Sequence, residues 1–232
     1  MIIVDTQSVL QNPHSFSARG AGILGMMRFG RQPVFILDDG MKVIEEDLKA
    51  FLNRHVGESI MIFGFTFMIW QHLLPILRKM GVDLSSSVLV HSGGWKKLQD
   101  QAVDNREFRD ALSTAAGIKR VYNFYGMAEQ VGSVFLEGED GFLYPPVFAD
   151  VIVRDAETWE EAPVGEPGVL QVVSLLPTSY PGHSLLTEDI GVVEGIDDST
   201  CGRYGKRFRV IGRVPHTEIR GCSDTYAAEL EE

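Results

Sequence analysis

Strand-like and helix-like segments alternate along residues 33–125, and this alternation restricts the possible folds more than any other feature of the chain. The predicted strands are 33–37, 59–63, 87–90 and 119–124, and the predicted helices between them are 45–55, 67–80 and 96–116. In the first helix Leu48, Phe51 and Leu52 share one face. Strands that alternate with helices pair in parallel, because each helix returns the chain to the same end of the sheet. We therefore expect an α/β fold with a largely parallel sheet and flanking helices.

The pattern changes after Gly132. Short apolar runs follow at 134–136, 149–153, 168–175, 192–194 and 208–211. Gly, Pro and acidic turn residues separate these runs, and no long helical pattern occurs among them. A smaller antiparallel β subdomain is expected here. The predicted organisation is an incomplete α/β subdomain at 1–134, a β-rich subdomain at 135–221 and a C-terminal tail at 222–232.

Charge and composition restrict the partners of the chain. Its 232 residues carry a formal net charge of −11, whereas nucleic acids and anionic membranes attract basic surfaces. We therefore expect no nucleic acid and no membrane as a partner. No signal peptide is recognised at the N-terminus, and polar residues and a proline interrupt the most apolar stretch, 60–77. With only two cysteines, Cys201 and Cys222, the protein is expected to be cytoplasmic.

Residues 203–220 form a basic segment within this acidic chain. It contains six basic residues and one acidic residue, Glu218. One interpretation is a solvated face, and the other is a surface that binds phosphate.

Glycine-containing loops follow three predicted strands, at 64–66, 91–96 and 125–129. Open α/β sheets bind ligands at the carboxyl ends of their strands, although glycines also occur there for turn formation alone. Backbone N–H groups of Gly93 and Gly94 are expected to face a nucleotide base or phosphate. His91 is expected to be a hydrogen-bonded residue at a strand end, and a place in an acyl pocket is the alternative.

Three side chains fit a nucleotide site by their chemistry. Tyr125 can stack on a purine, and Glu129 can hold Mg²⁺ beside phosphates or serve as a first-turn helix acid. Asp189 can accept two hydrogen bonds from a ribose diol, although aspartate is also common in turns. For Glu129 and Asp189, each considered alone, the sequence does not decide between the ligand-binding role and the structural role.

Taken in order, these segments resemble the motifs of the adenylate-forming (acyl-CoA synthetase-like) superfamily, whose members convert a carboxylate and ATP to acyl-AMP. Residues 125–129 match Tyr-Gly-x-Thr-Glu with Ala128 in place of Thr, 187–189 match Thr-Gly-Asp, and 212–213 match a Gly-Arg pair. The resemblance implies ATP or AMP and Mg²⁺ as ligands, with Glu129 as the metal ligand and a catalytic residue. The nucleotide-binding residues that it implies are Gly93, Gly94, Asn123, Tyr125, Gly126, Asp189 and Arg213.

Within this superfamily the chain looks most like the LuxE-type acyl-protein synthetases. Residues 92–96 and 218–223 carry the likeness, which covers roughly residues 55–225. It implies a carboxylic, fatty acid substrate and Cys222 as the catalytic nucleophile that takes the acyl group as a thioester. It also implies a reductase partner that receives the acyl group. The chemistry of the thiol supports this role independently of the resemblance, because a nearby cation such as Arg220 lowers the pKa of a thiol and favours the reactive thiolate.

One superfamily motif, the Ser/Thr/Gly-rich phosphate loop, is not found in the chain. Residues 15–22 come nearest but lack its lysine and its clustered threonines. We therefore expect the chain to be the C-terminal part of such an enzyme. Two further hypotheses are an acyl-CoA ligase and a catalytically inactive adenylate-fold partner subunit.

Overall fold

The computed structural model describes residues 1–11, 17–95 and 102–214. These residues divide into two compact units, residues 1–121 and residues 122–214. No helix within the described ranges is both long and apolar enough to cross a membrane. The predicted subdomain limits, 1–134, 135–221 and 222–232, remain a proposal.

The first unit is built on parallel strands. Its strands are β1 (Ile2–Thr6), β2 (Val34–Leu37), β3 (Met61–Phe65) and β4 (Val88–Ser92), in the spatial order β2-β1-β3-β4. All three neighbouring pairs are parallel. This arrangement confirms the predicted α/β class.

Strand β1 is central in this sheet, yet it lies outside the predicted strands, which begin at residue 33. It pairs with β2 on one side and with β3 on the other. Ile2, Ile3 and Val4 are fully buried. These residues form a continuous apolar run, which is typical of a strand that is covered on both faces.

Helices follow the strands as the alternation predicts. They are α1 (Ala18–Met26), α2 (Glu45–Arg54), α3 (Thr66–Met68), α4 (Leu74–Met80) and α5 (Asn105–Ala116). Helix α2 buries Leu48, Phe51 and Leu52, the face that its spacing predicts. These side chains join one core with the strand residues of the first unit.

Two predicted helices differ from the observed ones. The predicted helix 67–80 is interrupted by a π-helical turn at Ile69–Leu73. Pro75 lies directly after this turn, in the first turn of α4, and it has no backbone N–H to donate to the turn that precedes it. Helix α5 begins after Asp104, whose side chain accepts a hydrogen bond from the Glu107 N–H at 2.8 Å. Residues 96–101 of the predicted helix 96–116 lie outside the described residues.

The second unit consists of antiparallel strands. Its strands are β5 (Arg120–Tyr125), which begins at the end of the first unit, β6 (Phe135–Glu137), β7 (Leu143–Tyr144), β8 (Ala149–Arg154), β9 (Pro167–Ser174), β10 (Ser184–Ile196) and β11 (Lys206–Arg213), in the order β5-β6-β7-β11-β10-β9-β8. Every neighbouring pair in this order is antiparallel. Their apolar faces bury a separate core, which includes Phe135, Leu170 and Phe208.

Gly191 lies in β10 at a point where no side chain fits. A Cβ atom at this position would lie 2.7 Å from the Leu170 side chain and 2.9 Å from the Arg209 carbonyl oxygen. Gly191→Ala is therefore predicted to lower the free energy of unfolding by about 1–3 kcal/mol through overpacking. Gly212→Ala in β11 is the matched control, because nothing lies within 4 Å of its Cβ position. Urea denaturation measures both variants, and equal stabilities would contradict the prediction.

Candidate functional site

Two motifs that are distant in the sequence meet in the second unit. Tyr125 ends β5, and Asp189 lies in β10. The Tyr125 hydroxyl donates a hydrogen bond to Asp189 Oδ2 at 2.7 Å. Because β5 and β10 are not neighbours in the sheet, this is a tertiary contact. The fold thus brings together two residues that were assigned to a nucleotide site from separate motifs.

Tyr125 acts as a neutral hydrogen-bond donor. Burial, and then the neighbouring Asp189 carboxylate, raise the pKa of Tyr125 far above its ordinary value. Its ring packs against Phe135 and Phe208, with ring centroids 6.0 Å and 6.5 Å away. The phenol therefore keeps its proton at physiological pH and fixes one oxygen of Asp189.

Arg213 on β11 lies opposite Asp189 in the strand register. Its Nη2 donates to Glu188 Oε2 at 2.6 Å, and its Nε lies 3.6 Å from Asp189 Oδ1. The Asp189 carboxylate is therefore held between a phenol and a guanidinium, with 24% of its side chain exposed. Such a carboxylate is fixed in orientation and still accessible to a ligand.

Asn123 lies two residues before Tyr125 and carries an unsatisfied oxygen. Its backbone N–H donates to Glu137 Oε2 at 2.6 Å, and Glu137 itself is buried. Asn123 Oδ1 is buried without a hydrogen-bond partner in the part of the chain that the structure describes. A buried acceptor without a partner is costly, and a bound donor would remove that cost.

The turn after Tyr125 places Gly126 and Glu129 at the surface of this unit. Residues Ala128–Gln130 form a single 3-10 turn. Gln130 anchors the turn, because its Nε2 donates to the Gly182 carbonyl oxygen at 2.8 Å. Within the described ranges no three His, Cys, Asp or Glu side chains are grouped as metal ligands. Glu129 is therefore not part of a preformed metal cluster there.

In the first unit, the loops after β3 and β4 lie side by side. Gly64 pairs with His91 in the strand register, and Phe65 pairs with Ser92. Beyond this pair, Gly93 adopts a φ of 81°, a left-handed conformation that favours glycine. The two loops therefore converge at the carboxyl edge of the sheet, as predicted for them.

The Thr66 side chain joins these loops. Its Oγ1 lies 2.9 Å from His91 Nδ1 and 2.6 Å from the Gly93 carbonyl oxygen. We refer to the three groups His91 Nδ1, Thr66 Oγ1 and Gly93 O as the Thr66 relay. No property of the sequence singled out Thr66, since a threonine after a strand is common.

His91 is buried and hydrogen-bonded at the end of β4, as expected. Burial first, and then the charge of Arg109, lower the pKa of His91 to about 3. Its ring packs on Phe108, with ring centroids 4.6 Å apart. Its Nε2 is buried and has no hydrogen-bond partner among the residues described.

The predicted nucleophile, Cys222, lies outside the described residues. Cys201 is half-buried and has no disulfide partner in the described ranges. Its Sγ lies 3.0 Å from Ser199 Oγ, and this hydrogen bond is the main cause that lowers the pKa of the Cys201 thiol.

Within the described part of the basic segment, the basic residues of β11 pair with carboxylates. Arg207 forms two hydrogen bonds with Asp198, and Arg209 pairs with Glu194. Lys206 contacts Asp150 and Glu161. For Lys206, Arg207 and Arg209 these pairings favour the interpretation as an ion-paired, solvated face.

The nearest candidate for a phosphate loop, 15–22, contains residues with structural roles. Ser17 caps α1, accepting a hydrogen bond from the Gly20 N–H at 3.1 Å. Arg19 donates from Nε and Nη2 to the Asp5 carboxylate at 2.8 Å and 2.5 Å. Asp5 is buried at the end of β1, and its burial raises the pKa of its carboxyl despite this partner. Arg19 is therefore committed to an internal ion pair.

Comparison with known proteins adds a family and a relative. The chain matches the family described as "Acyl-protein synthetase, LuxE" over residues 1–231. It is similar to the long-chain-fatty-acid–luciferin-component ligase of Vibrio harveyi, with 28% identity over 183 residues. This alignment covers 75% of the chain and 47% of the relative, so the chain spans about half the length of that relative.

Solved structures share the fold. One of them is an open conformation of 2-hydroxyisobutyryl-CoA ligase, bound to 2-HIB-AMP and CoA. It superposes with a TM-score of 0.67 at 21% identity, and the match covers 95% of this chain and 50% of the ligase chain. ATP-bound MatB from Rhodopseudomonas palustris has a TM-score of 0.56 at 16% identity, and the match covers 91% of this chain and 40% of the MatB chain. The luciferase-like enzyme of the mealworm Zophobas morio has a TM-score of 0.56 at 19% identity, and the match covers 94% of this chain and 49% of the mealworm chain. These structures establish an α/β fold that resembles the adenylate-forming enzymes.

The buried His91 gives stability a defined pH dependence. Its pKa of about 3 in the folded state lies below the ordinary 6.5, so the unfolded chain binds the proton more readily. His91 therefore contributes full stability above pH 6.5, and this contribution is lost as the pH falls from 6.5 towards 3. Between pH 7 and pH 5 the loss from this residue is expected to be about 2 kcal/mol.

Denaturant unfolding at both pH values, with His91→Gln as the comparison, measures this loss. The variant has no titrating ring, so its free energy of unfolding is expected to fall less between pH 7 and pH 5 than that of the native chain. Equal losses in the two proteins would show that His91 is not the responsible group.

Proposed function

Because the chain belongs to the LuxE acyl-protein synthetase family, we propose that it takes part in the ATP-dependent activation of a carboxylic acid as acyl-AMP, followed by transfer of the acyl group to a protein cysteine. The family match extends over residues 1–231. The function of the whole enzyme is a proposal for this chain, which spans about half of its curated relative.

One observation carries this proposal. Tyr125 and Asp189, which are 64 positions apart, lie in segments that resemble two different adenylate-forming motifs, and their side chains are hydrogen-bonded. Small-molecule sites combine an apolar surface with a few fixed polar groups, and here these would serve the base and the ribose. The hydrogen bond fixes the Asp189 carboxylate, and the Tyr125 ring is the proposed purine contact.

In the proposed nucleotide site, each residue has a chemical task. The Asp189 carboxylate accepts hydrogen bonds from the ribose hydroxyls, and Arg213 approaches the phosphate. Asn123 Oδ1, a buried acceptor without a partner in the described residues, fits an amino donor of the base. Gly126 allows close approach of the backbone. For the first unit by itself, the resemblance implies that the N–H groups of Gly93 and Gly94 contact the nucleotide.

The first proposed step is adenylation. A carboxylate oxygen of the acid attacks the α-phosphorus of ATP, the bond to the β-phosphate oxygen breaks, and pyrophosphate leaves. Glu129 is proposed to hold Mg²⁺, since a single exposed carboxylate together with substrate phosphates suits this ion. When bound, Mg²⁺ would neutralise charge on the phosphates.

The second proposed step is thioester formation. The Cys222 thiolate attacks the acyl carbonyl carbon, the bond to the phosphate oxygen breaks, and AMP leaves. We propose a long-chain fatty acid as the substrate, as in the name of the Vibrio harveyi relative. A reductase is the proposed acyl-receiving partner, and the cytoplasm, where thiols stay reduced, is the proposed location.

The nucleotide assignment is tested by Asp189→Asn. We expect the variant to bind AMP about 10–100-fold more weakly, because it loses a charged hydrogen-bond acceptor for the ribose. Isothermal titration calorimetry measures the affinity. Glu194→Gln is the matched control, since Glu194 is another acid on β10 but pairs with Arg209. Unchanged AMP affinity in Asp189→Asn would reject the ribose assignment.

The thioester assignment is tested by a pair of cysteine variants. The chain is incubated with ATP, Mg²⁺ and a radiolabelled long-chain fatty acid, and protein-bound label that hydroxylamine releases is counted. Cys222→Ser is expected to lose this label, whereas Cys201→Ser is expected to keep it. The opposite result would assign the thioester to Cys201. If the native chain acquires no label and catalyses no ATP–pyrophosphate exchange, the hypothesis of a catalytically inactive partner subunit would replace this proposal.

A further inference from the structure

We propose that Thr66 and His91 are positioning residues that hold the Gly93–Gly94 loop in its ligand-binding conformation. The inference rests on the proposed function, because that function assigns the loop to the nucleotide. Neither side chain is proposed to contact the nucleotide. Both act by holding the backbone of the loop.

The chemistry of the hydroxyl group sets the direction of the Thr66 relay. Thr66 Oγ1 carries one proton, and it contacts His91 Nδ1 and the carbonyl oxygens of Ser92 and Gly93. Carbonyl oxygens only accept, so the proton of Thr66 points to them, with the shorter distance to Gly93. His91 Nδ1 must then donate to Thr66 Oγ1. The relay therefore requires the tautomer of His91 that carries its proton on Nδ1.

Burial makes this relay rigid. Thr66 is 6% exposed and His91 is 3% exposed. Hydrogen bonds away from water are stronger, and losing one partner leaves the other groups unsatisfied. The left-handed Gly93 is thus held through its carbonyl oxygen while the N–H of Gly94 stays on the other side of the same peptide bond.

An aromatic cluster supports the relay from one side. Phe108 packs on His91, and it also contacts Trp70 and Trp95 at centroid distances of 6.0 Å and 6.3 Å. Trp95 directly follows the Gly93–Gly94 loop. A movement of the loop therefore changes the surroundings of the Trp95 ring, which provides a signal that is independent of any ligand.

The first test compares Thr66→Val with Thr66→Ser. Valine keeps the shape of threonine but removes the hydroxyl, whereas serine keeps the hydroxyl. Thr66→Val is expected to weaken AMP binding about tenfold, and Thr66→Ser is expected to retain most of the affinity. Circular dichroism and calorimetry check that both variants are folded. If native chain and Thr66→Val bind AMP equally well, the inference is overturned.

The second test uses the two conservative replacements of His91. The amide nitrogen of asparagine can take the place of Nδ1, whereas that of glutamine takes the place of Nε2. His91→Asn is therefore expected to keep AMP affinity nearer to the native value than His91→Gln. A reversed order would overturn the assigned tautomer and with it the relay.

A spectroscopic readout separates failure of this inference from failure of the proposed function. With 5-fluorotryptophan incorporated, the ¹⁹F resonance of Trp95 is expected to shift in Thr66→Val and to return towards its native position in Thr66→Ser. If the native chain does not bind AMP, the nucleotide assignment fails, and this resonance still decides whether the relay positions the loop. An unmoved Trp95 resonance in Thr66→Val would reject the relay.

Discussion

The parallel pairing of β1 with both of its neighbours is the constraint on which the first unit depends. Ile2, Ile3 and Val4 are fully buried between β2 and β3, so the other strands are organised around this short run. The strand also ends in Asp5, whose buried carboxylate is held by Arg19. Because β3 and β4 continue the same sheet in register, the loops after them meet at one edge. The Thr66 relay is a direct consequence of that register.

In the second unit, a single hydrogen bond has the corresponding role. Antiparallel pairing places Arg213 opposite Asp189, and the Tyr125 hydroxyl reaches the same carboxylate from a strand that does not pair with β10. A carboxylate that is held by one hydrogen bond and one ion pair has little rotational freedom, and this preorganisation would lower the entropic cost of the proposed ribose contact. Membership of the LuxE family is the ground on which we propose a nucleotide as the ligand of this arrangement.

Much of the architecture could be predicted from local patterns. Residues 33–125 alternate between strand and helix periodicity, and α2 buries the face that its spacing indicates. Helices α4 and α5 end directly before Gly81 and Gly117, which favour helix ends. β1 is absent from the predicted strands because its short apolar run, residues 2–4, stands apart from the strand–helix alternation that begins at residue 33. The interruption of the helix at Ile69–Leu73 was also missed, since a π-helical turn has no simple sequence pattern.

The sequence by itself determined the kinds of element, the order of the motifs and the chemical types at the candidate site, because these depend on residues close together in the chain. It identified Tyr125, Asp189 and Arg213 as candidates, but for several of its assignments an ordinary structural role remained as the alternative. Only the tertiary structure decided that Tyr125 contacts Asp189 and that the basic residues of β11 are ion-paired. It also showed that Thr66 joins His91 to Gly93. Such contacts depend on strand register and burial over long sequence separations, and no local pattern encodes them.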